Sequence, residues 1–263
     1  MNLCILIPCH KRIDLLRRAI AVLGEHPVLV VDDSQDGLAL GEIPHIRTSG
    51  SRGFARSVNR GLVELQQRGF SHVLLLNDDV QVEPQCILRL KQAWSESDGA
   101  IAPVLQEPDG ALSSGFLVGA LGRIRVRPGT VDAPAEVDAV SGAAILMRCT
   151  ERLDEGYRHG FEDLDLCRRL RLRGLRVRTI PSARCLHDGG ATVSRTSRYA
   201  QRAAVSGHIR YLGGGWRSGL AVALGVGQVL REGGSPQRLL GVWEGWRDHR
   251  QDAQSSAVSA CSS

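Results

Sequence analysis

The stretch VLLLNDD, residues 73–79, decides how the sequence is interpreted, because an apolar run passes directly into an amide and two carboxylates. A short apolar run bounded in this way is typical of a buried strand. Outward from it, other apolar runs alternate with segments of helical periodicity, which predicts parallel strand pairing and an α/β fold. The predicted strands are residues 3–7, 28–31, 72–76, 101–104, 143–147 and 175–180, and the predicted helices are residues 13–23, 54–67, 84–94 and 163–173.

Polar clusters directly follow three of the predicted strands: Pro8-Cys9-His10, Asp32-Asp33 and Asn77-Asp78-Asp79. Because ligands of open α/β sheets bind beyond the carboxyl ends of the strands, we expect these clusters at one edge of the sheet. A further acidic group, formed by Glu162, Asp163 and Asp165, stands at the start of the last predicted helix. Carboxylates are common at helix starts, so helix capping alone is an alternative explanation for that group.

Several classes of protein are disfavoured by the absence of their motifs. The first strand is not followed by G-x-G-x-x-G or G-x-x-x-x-G-K-[ST], which argues against dinucleotide dehydrogenases, S-adenosylmethionine methyltransferases and P-loop NTPases. The net charge is +5, and 33 − 2 = 31 of the basic residues are arginine. No RRM, zinc-finger or helix-turn-helix signature accompanies this charge, so we predict no nucleic-acid partner. A mildly basic surface suits a phosphate-bearing small molecule or an anionic membrane face.

The cysteines and the apolar runs bear on the cellular compartment. Seven scattered cysteines without a C-x-x-C pair predict buried, reduced thiols. Met1 leads directly into a strand pattern, so no signal peptide is predicted. The longest apolar run, residues 219–230, is too short to span a bilayer. We therefore expect a cytoplasmic protein, with peripheral attachment to the inner face of the membrane as an alternative.

Six segments, taken as a set, resemble a known family. They are ILIPCHKR (5–12), VVDDSQDG (30–37), GFARSVNRG (53–61), LLLNDDV (74–80), SGAAILMR (141–148) and GFEDLDLCRRLRLRGLRV (160–177), and His187 completes the series. In order and spacing, the sequence resembles family 2 glycosyltransferases of the GT-A fold over residues 1–195, in particular the small rhamnosyltransferase-like bacterial members. The resemblance implies a mostly parallel, Rossmann-like sheet flanked by helices.

The resemblance also implies how the chain is divided. Residues 1–195 would form the catalytic domain, with a nucleotide-binding half over residues 1–104 and an acceptor and catalytic half over residues 105–195. The periodicity weakens over residues 105–137, which we interpret as an excursion from the sheet over a binding face. Residues 196–253 are predicted as a helical C-terminal extension and residues 254–263 as a disordered tail.

Two residues correspond to the metal site of the family. Asp79 aligns with the last carboxylate of the D-x-D motif, which would hold Mg²⁺ or Mn²⁺, and such ions prefer oxygen ligands. Asn77 stands where the first aspartate of that motif would be, which leaves Asp79 as the main ligand. His187 matches a histidine that can complete the site, and a structural role is its alternative. Asn77 and Asp78 are assigned to nucleotide-sugar binding, while a turn that caps the next helix is the alternative for Asp78.

The first two polar clusters correspond to the nucleotide pocket. Asp32 matches the aspartate that contacts the base, Asp33 follows it, and the backbone near Pro8 and His10 closes the pocket. The alternative for Asp32 is an Asx-type turn.

Three further residues, Arg52, Arg56 and Asn59, fall in the segment that packs around the nucleotide in the family. The alternative for Arg56 is a solvated helical charge. Asparagine is disfavoured inside helices, so we expect a specific hydrogen bond at Asn59.

The acidic helix start corresponds to the catalytic pair of the family. In this resemblance Asp163 is the base that removes the acceptor proton, and Glu162 orients it or the acceptor. A plain N-cap is the alternative for Asp163. Asp165, three and four residues before Arg168 and Arg169, is predicted to form helix salt bridges.

These roles imply an enzyme: an inverting, metal-dependent, non-processive hexosyltransferase acting on a UDP- or dTDP-linked sugar donor. The acceptor would be a hydroxyl of a glycan, a lipid-linked saccharide or a natural product, in cell-envelope or secondary-metabolite glycosylation. The absence of Q-x-x-R-W disfavours a processive synthase. The alternatives are a sugar nucleotidyltransferase and a catalytically silent binding module of the same fold. For the Arg-rich segment 196–250, the alternatives are contact with an anionic membrane and a helical cap on the catalytic domain.

Overall fold

Two units make up the chain. The computed structural model describes residues 1–48, 53–119, 122–129, 133–158, 160–188 and 197–261, with side chains as far as residue 250. The sheet unit comprises Met1–Gly119, Arg123–Glu155 and Glu162–Gly189. The helical unit comprises Ala120–Gly122, Gly156–Phe161 and Gly190–Ser263. The predicted division of the chain at residue 195 stays a prediction.

Strands and helices alternate through the first half of the sheet unit. Its strands are β1 (Leu3–Cys9), β2 (Val28–Asp32), β3 (His45–Arg47), β4 (His72–Leu76), β5 (Val80–Val82), β6 (Asp98–Gln106), β7 (Leu112–Val118), β8 (Ile124–Pro128), β9 (Ala135–Glu136), β10 (Ala144–Arg148) and β11 (Arg176–His187). Its helices are α1 (Ile13–Ala21), α2 (Phe54–Gln67), α3 (Cys86–Ala93) and α4 (Glu162–Leu172). Each of the six predicted strands and four predicted helices therefore corresponds to an observed element.

The main path of the sheet runs in the order β3-β2-β1-β4-β10-β6-β11-β5. Four of its seven pairings are parallel, namely β3 with β2, β2 with β1, β1 with β4 and β6 with β11. The other three are antiparallel. The predicted fold class, an α/β protein with a central sheet flanked by helices, is confirmed, and the sheet is mixed, with the parallel pairings concentrated among β3, β2, β1 and β4.

Two antiparallel pairings determine which loops share an edge of the sheet. In the pairing of β10 with β4, Ala144 lies opposite Leu76, so β10 begins where β4 ends. In the pairing of β11 with β5, His187 lies opposite Val80. The residues before β10 and the end of β11 are therefore brought to the same edge as the acidic cluster that follows β4.

The core of the sheet unit forms where helices cover the buried strands. All residues of β1 and β4 are buried, as expected for strands that are covered on both faces. Helix α2 buries a stripe with helical spacing, formed by Ala55, Val58, Leu62 and Leu65. At Gly61 a Cβ atom would come within 2.4 Å of Leu6 Cδ1, so glycine allows the helix to approach the sheet closely.

The segment 105–137 leaves the main path of the sheet, in agreement with its weak periodicity. Strand β7 pairs antiparallel with β6 and with β8, and β9 pairs antiparallel with β11. A turn from Glu107 to Ala111 joins β6 to β7, since Glu107 N donates to Ala111 O at 2.8 Å. That turn places Glu107 directly beyond the end of a core strand.

The helical unit contains α5 (Arg198–Leu212), α6 (Arg217–Arg231) and α7 (Pro236–Cys261). These helices meet around a small apolar cluster formed by Val205, Ile209, Ala221, Val229 and Val242. The backbone of α7 continues as a helix into residues 254–261, where the serine-rich sequence had predicted disorder. Alanines at intervals in that segment favour continuation of the helix. Within the part of the chain that the structure describes, no helix is long and apolar enough to cross a membrane.

Candidate functional site

The predicted polar clusters meet at the carboxyl ends of β1, β2 and β4. Cys9 lies opposite Asp32 in the parallel pairing of β1 with β2. Beside β4, Asn77 N donates to Ala143 O at 2.9 Å. One residue earlier, Gly142 N donates to Asp163 Oδ2 at 2.9 Å. This series of contacts places the start of α4 at the same edge as the residues that follow β4.

Arg12 pairs with both carboxylates of the acidic cluster. Its guanidinium contacts Asp78 through Nη2 and also through Nε, which lies 3.3 Å from Oδ2. The same Nη2 donates to Asp79 Oδ2 at 3.1 Å. Asp78 is 4% exposed and Asp79 is 6% exposed. Arg12 belongs to the motif at residues 5–12 and has no predicted role, although its place just after β1 is a signal for one.

Burial and ion pairing shift the pKa values of Asp78 and Arg12 in opposite directions. Burial raises the pKa of Asp78, and this effect outweighs the lowering by hydrogen bonds and charge from Arg12. For Arg12, burial lowers the pKa of the guanidinium, but contact with Asp78 and Asp79 outweighs it and the pKa is raised overall. Arg12 therefore stays charged, and it is the counter-ion that keeps two buried aspartates compatible with the fold.

Asp79, His187 and Glu107 form a line of polar contacts. His187 Nε2 lies 3.6 Å from Asp79 Oδ1, and His187 Nδ1 lies 3.2 Å from Glu107 Oε1. The backbone of Asp188 also donates to Asp79 O at 3.0 Å, which holds the end of β11 against the cluster. A carboxylate on one ring nitrogen orients a histidine whose other nitrogen faces a ligand site. Glu107 was missed by the sequence analysis, because only the turn after β6 brings it to His187.

Two oxygens at this site lack a hydrogen-bond donor. Among the described residues, no group donates to the buried atoms Asp79 Oδ1 and Asn77 Oδ1. Buried polar atoms are normally satisfied, so such atoms indicate a water, ion or ligand.

These atoms fit a divalent cation. Two ligands that are each about 2.1 Å from one ion lie roughly 3–4 Å apart, and the separation of Asp79 Oδ1 from His187 Nε2 is within this range. In the described part of the chain there is no group of three or more His, Cys, Asp or Glu residues that could hold a metal. A cation here would take most of its ligands from water and phosphate oxygens, as Mg²⁺ commonly does.

The predicted base, Asp163, bonds outside its own helix. Helix α4 begins at Glu162, and Gly160 and Phe161 before it have φ values of 79° and 73°. Positive φ is unfavourable for phenylalanine, and such residues cluster at functional sites. Asp163 is half-buried, and its Oδ2 accepts the hydrogen bond from Gly142 described above. That bond holds the carboxylate against the loop before β10.

The other two carboxylates of α4 differ from Asp163 in burial. Glu162 is 8% exposed and Asp165 is 4% exposed, whereas Asp163 is half-buried. Asp165 accepts hydrogen bonds from Arg168 and Arg169, each at 2.8 Å. The predicted salt bridges of Asp165 are confirmed.

Asp32 and Asp33 hold the loop that follows β2. Asp32 is 1% exposed and accepts hydrogen bonds from Ser34 N and Leu38 N, each at 2.9 Å. Burial alone would raise the pKa of Asp32, but the bonds from Ser34 and Leu38 lower it overall. Asp33 accepts from Thr48 Oγ1 at 2.6 Å and from Gly53 N at 3.2 Å. The geometry is that of the Asx-type turn, and the base-binding role of Asp32 stays a prediction.

The remaining predicted residues lie around this loop or on α2. Pro8 is buried in β1, and the exposed His10 has its Nδ1 2.8 Å from Asp33 O. Asn59 has the expected specific bonds, because its amide donates to Leu153 O and accepts from Leu153 N, both at 2.9 Å. Arg56 faces Glu155, with Nε 3.3 Å from Oε2. Arg52 lies outside the described residues.

The cysteines agree with the prediction of buried, reduced thiols. All six described cysteines are free and buried. Burial raises the pKa of Cys9 to about 12, with the neighbouring Asp78 adding to the effect. This thiol beside the site is therefore uncharged at neutral pH.

The chain resembles known proteins in its structure. No protein-family model matches the chain, and no curated protein matches its sequence. Among solved structures, it is similar to GalNAc-T7 with UDP, GalNAc and Mn²⁺, with a TM-score of 0.62 and 13% identity. That match covers 81% of this chain and 48% of GalNAc-T7, so the chain spans about half the length of that protein. It is also similar to A197 from STIV, with a TM-score of 0.51, 11% identity, and coverage of 72% and 87%.

At these identities the likeness concerns the fold. Membership of family 2 and the rhamnosyltransferase-like subgroup stay predictions. The mixed sheet with the helices on it and the match to GalNAc-T7 agree with the predicted architecture. The chain has the fold of the GT-A glycosyltransferases.

Proposed function

We propose that the protein transfers a sugar from a nucleotide-diphosphate sugar to a hydroxyl acceptor, with inversion at the anomeric carbon. The observation that carries the proposal is that Asp163 and the pair Asp79 and His187 lie at the same edge of the sheet. A base and a site for a diphosphate-bound cation are the two parts that this reaction needs. The reaction is non-processive and of the hexosyltransferase type, and family 2 remains the proposed family.

The donor is proposed to lie along the ends of β1, β2 and β4. The GalNAc-T7 structure contains UDP and Mn²⁺, which supports the same class of ligands here. The nucleotide, UDP or dTDP, would meet the loop held by Asp32 and Asp33, with Pro8 and His10 beside it. Asn77 and Asp78 would lie next to the diphosphate, and Arg52 and Arg56 are assigned to the rim.

The cation would be held by Asp79 and His187, with Asn77 Oδ1 as a further oxygen facing the site. Bound Mg²⁺ or Mn²⁺ supplies Lewis-acid stabilisation of the negative charge on the departing diphosphate. Glu107 holds His187 by its Nδ1, so that Nε2 is directed at Asp79. Arg12 neutralises the two aspartates when the cation is absent and contributes positive charge beside the diphosphate.

Asp163 is proposed to accept the proton of the acceptor hydroxyl as its oxygen attacks the sugar. A positioned carboxylate contributes about 10²–10⁴-fold to such a step. The Gly142 N–H bonded to Oδ2 orients the carboxylate. Glu162 is proposed to orient the acceptor. The acceptor is a glycan, a lipid-linked saccharide or a natural product, in bacterial cell-envelope or secondary-metabolite glycosylation in the cytoplasm.

Ligand-dependent thermal unfolding tests the donor and the cation together. A ligand that binds only the native state raises the unfolding temperature. We expect one UDP- or dTDP-sugar to raise it in the presence of Mn²⁺ and to have a much smaller effect in EDTA. In Asp79→Asn the increase in unfolding temperature that depends on Mn²⁺ should be lost. Asp14→Asn changes an exposed carboxylate of α1 and should retain that increase. Absence of stabilisation by every nucleotide sugar tested would contradict the proposal.

A further inference from the structure

The outward face of α7 combines aromatic, aliphatic and cationic side chains. At 3.6 residues per turn, residues 239, 243, 247 and 250 lie on one stripe, with residue 240 beside it. Trp243 is 50% exposed, and Leu239 and Leu240 are also exposed. Arg247 and Arg250 continue the stripe towards the C-terminus. Arg247 lies over the ring of Trp243, with 4.8 Å from Cζ to the centroid.

The carboxylates of α7 face α5. Glu244 and Asp248 are buried and bind arginines of α5. Arg198 Nε donates to Glu244 Oε2 at 2.9 Å, and Arg202 Nη2 donates to Asp248 Oδ1 at 2.8 Å. Over residues 236–250 both carboxylates are therefore buried, and of the three arginines Arg238 is buried whereas Arg247 and Arg250 are exposed.

The outward face of α6 has the same character. The helix buries Ala221, Gly225 and Val229 at intervals of four residues. On the other side, Trp216 is 76% exposed and Leu230 is 64% exposed. Arg217 and Arg231 lie at the two ends of the helix. Each end of the helix therefore presents an exposed apolar side chain next to an arginine.

The charges of these faces indicate which partner they fit. In the described segment 213–250, each of the three carboxylates is bonded to an arginine, and Glu232 is held by Arg238 Nη2 at 2.6 Å. Among the described side chains, no carboxylate forms an ion pair with the outward arginines Arg217, Arg231, Arg247 and Arg250. Two such faces on two copies of the chain would repel each other, whereas an anionic surface would complement both.

We propose that the outward faces of α6 and α7 bind a membrane surface that contains anionic lipid. Tryptophan and leucine enter the boundary between headgroups and acyl chains, while arginines on the same face pair with lipid phosphates. The arrangement of arginine next to tryptophan suits this boundary, because both side chains have an apolar body and a polar end. The proposal goes beyond sugar transfer and does not depend on it.

Vesicle flotation of the full chain tests the proposal. We expect the protein to float with vesicles of equal parts phosphatidylcholine and phosphatidylglycerol, and much less with phosphatidylcholine alone. Added salt should weaken binding, because it screens charges at a surface. Loss of each outward arginine should weaken binding by about fivefold. Trp243→Ser combined with Leu240→Ser should reduce binding by a similar or larger factor, because both apolar contacts are removed.

Matched controls separate a specific face from a general loss of folding or charge. Leu172→Ser changes a leucine of α4 that is 80% exposed, and Arg60→Gln changes an exposed arginine of α2. Both controls should float like the unchanged protein, and Arg247→Gln with Arg250→Gln should not. Equal flotation of these two groups of variants would overturn the proposal, as would binding that is indifferent to phosphatidylglycerol. A dimer that is lost in the Trp243→Ser and Leu240→Ser variant would identify a contact between copies instead.

Discussion

Buried arginine–carboxylate pairs occur in both units, and they differ in how completely each carboxylate is satisfied. In the helical unit, both oxygens of Asp248 accept from Arg202, at 2.5 and 2.8 Å. At the edge of the sheet, Arg12 bonds one oxygen of Asp79, and no described residue donates to the other. A satisfied pair is fully explained by the fold, whereas an incomplete pair indicates that something else binds there.

A second satisfied pair lies inside the sheet unit itself. Asp98 is fully buried, and Arg178 donates to both of its oxygens. Nε donates to Oδ1 at 2.8 Å, and Nη2 donates to Oδ2. The contrast with Asp79 is therefore not a contrast between sheet and helix. It distinguishes carboxylates that hold the structure together from those available to a ligand. The predictions that follow test this distinction.

The largest effect is expected at Asp163, the proposed base. Asp163→Asn should reduce turnover by about 10²–10⁴-fold while leaving donor binding nearly unchanged, because only the proton acceptor is removed. The measurement is steady-state kinetics with the donor identified by thermal unfolding. Asp165→Asn is the matched control, because that carboxylate is used by Arg168 and Arg169 and its loss should affect stability more than rate. Equal losses of turnover in Asp163→Asn and Asp165→Asn would contradict the proposed role of Asp163 as the base.

The next effect concerns stability. Arg178→Ala should lower the free energy of unfolding by about 3 kcal/mol, because it removes the main counter-ion of the buried Asp98 and leaves it the Ser95 N–H at 2.8 Å and Arg176 at 3.2 Å. Chemical denaturation measures this change. Arg56→Ala removes an exposed pair with Glu155 and should cost less than about 1 kcal/mol. Similar costs for the two variants would show that burial does not set the strength of these pairs.

The sequence was sufficient to predict the elements that carry the fold but not every contact of the site. Apolar runs such as residues 73–76 predict strands because burial on both faces demands continuous apolar residues. The sequence could not predict that β10 pairs antiparallel with β4 and so brings Gly142 to Asp163. Local periodicity contains no information about strand order, and the roles of Arg12 and Glu107 depend on that order.

The asparagine of α2 shows how a local anomaly can be used. Asn59 is disfavoured by helix propensity, and the expected specific bond is found, to the backbone of Leu153. The sequence therefore indicated that a bond exists there. It did not indicate the partner, which is 94 residues away along the chain.

A smaller change in stability is expected at the incomplete pair. Asp79→Asn should change the free energy of unfolding by about 1 kcal/mol or less, because one oxygen makes no hydrogen bond with the described residues and the other shares Arg12 with Asp78. Its effect should be on the ligand instead. Isothermal titration of the Asp79→Asn variant with Mn²⁺ in the presence of the nucleotide should detect no saturable binding. The Asp14→Asn variant should bind Mn²⁺ like the unchanged protein. A loss of stability comparable to that of Arg178→Ala would make Asp79 a structural residue.

The smallest effect is expected in the pH dependence of stability, at Asp32. The pKa of Asp32 is lowered in the folded protein by the bonds from Ser34 and Leu38, so folding favours the ionised carboxylate. The stabilisation is therefore complete above the pKa of the unfolded chain, near 3.8, and is lost as the pH falls through the lower folded value. In Asp32→Asn the unfolding free energy should fall less steeply below about pH 4. Asp36→Asn, in the exposed part of the same loop, should retain the original slope, and a retained slope in Asp32→Asn would mean that the loop does not depend on this charge.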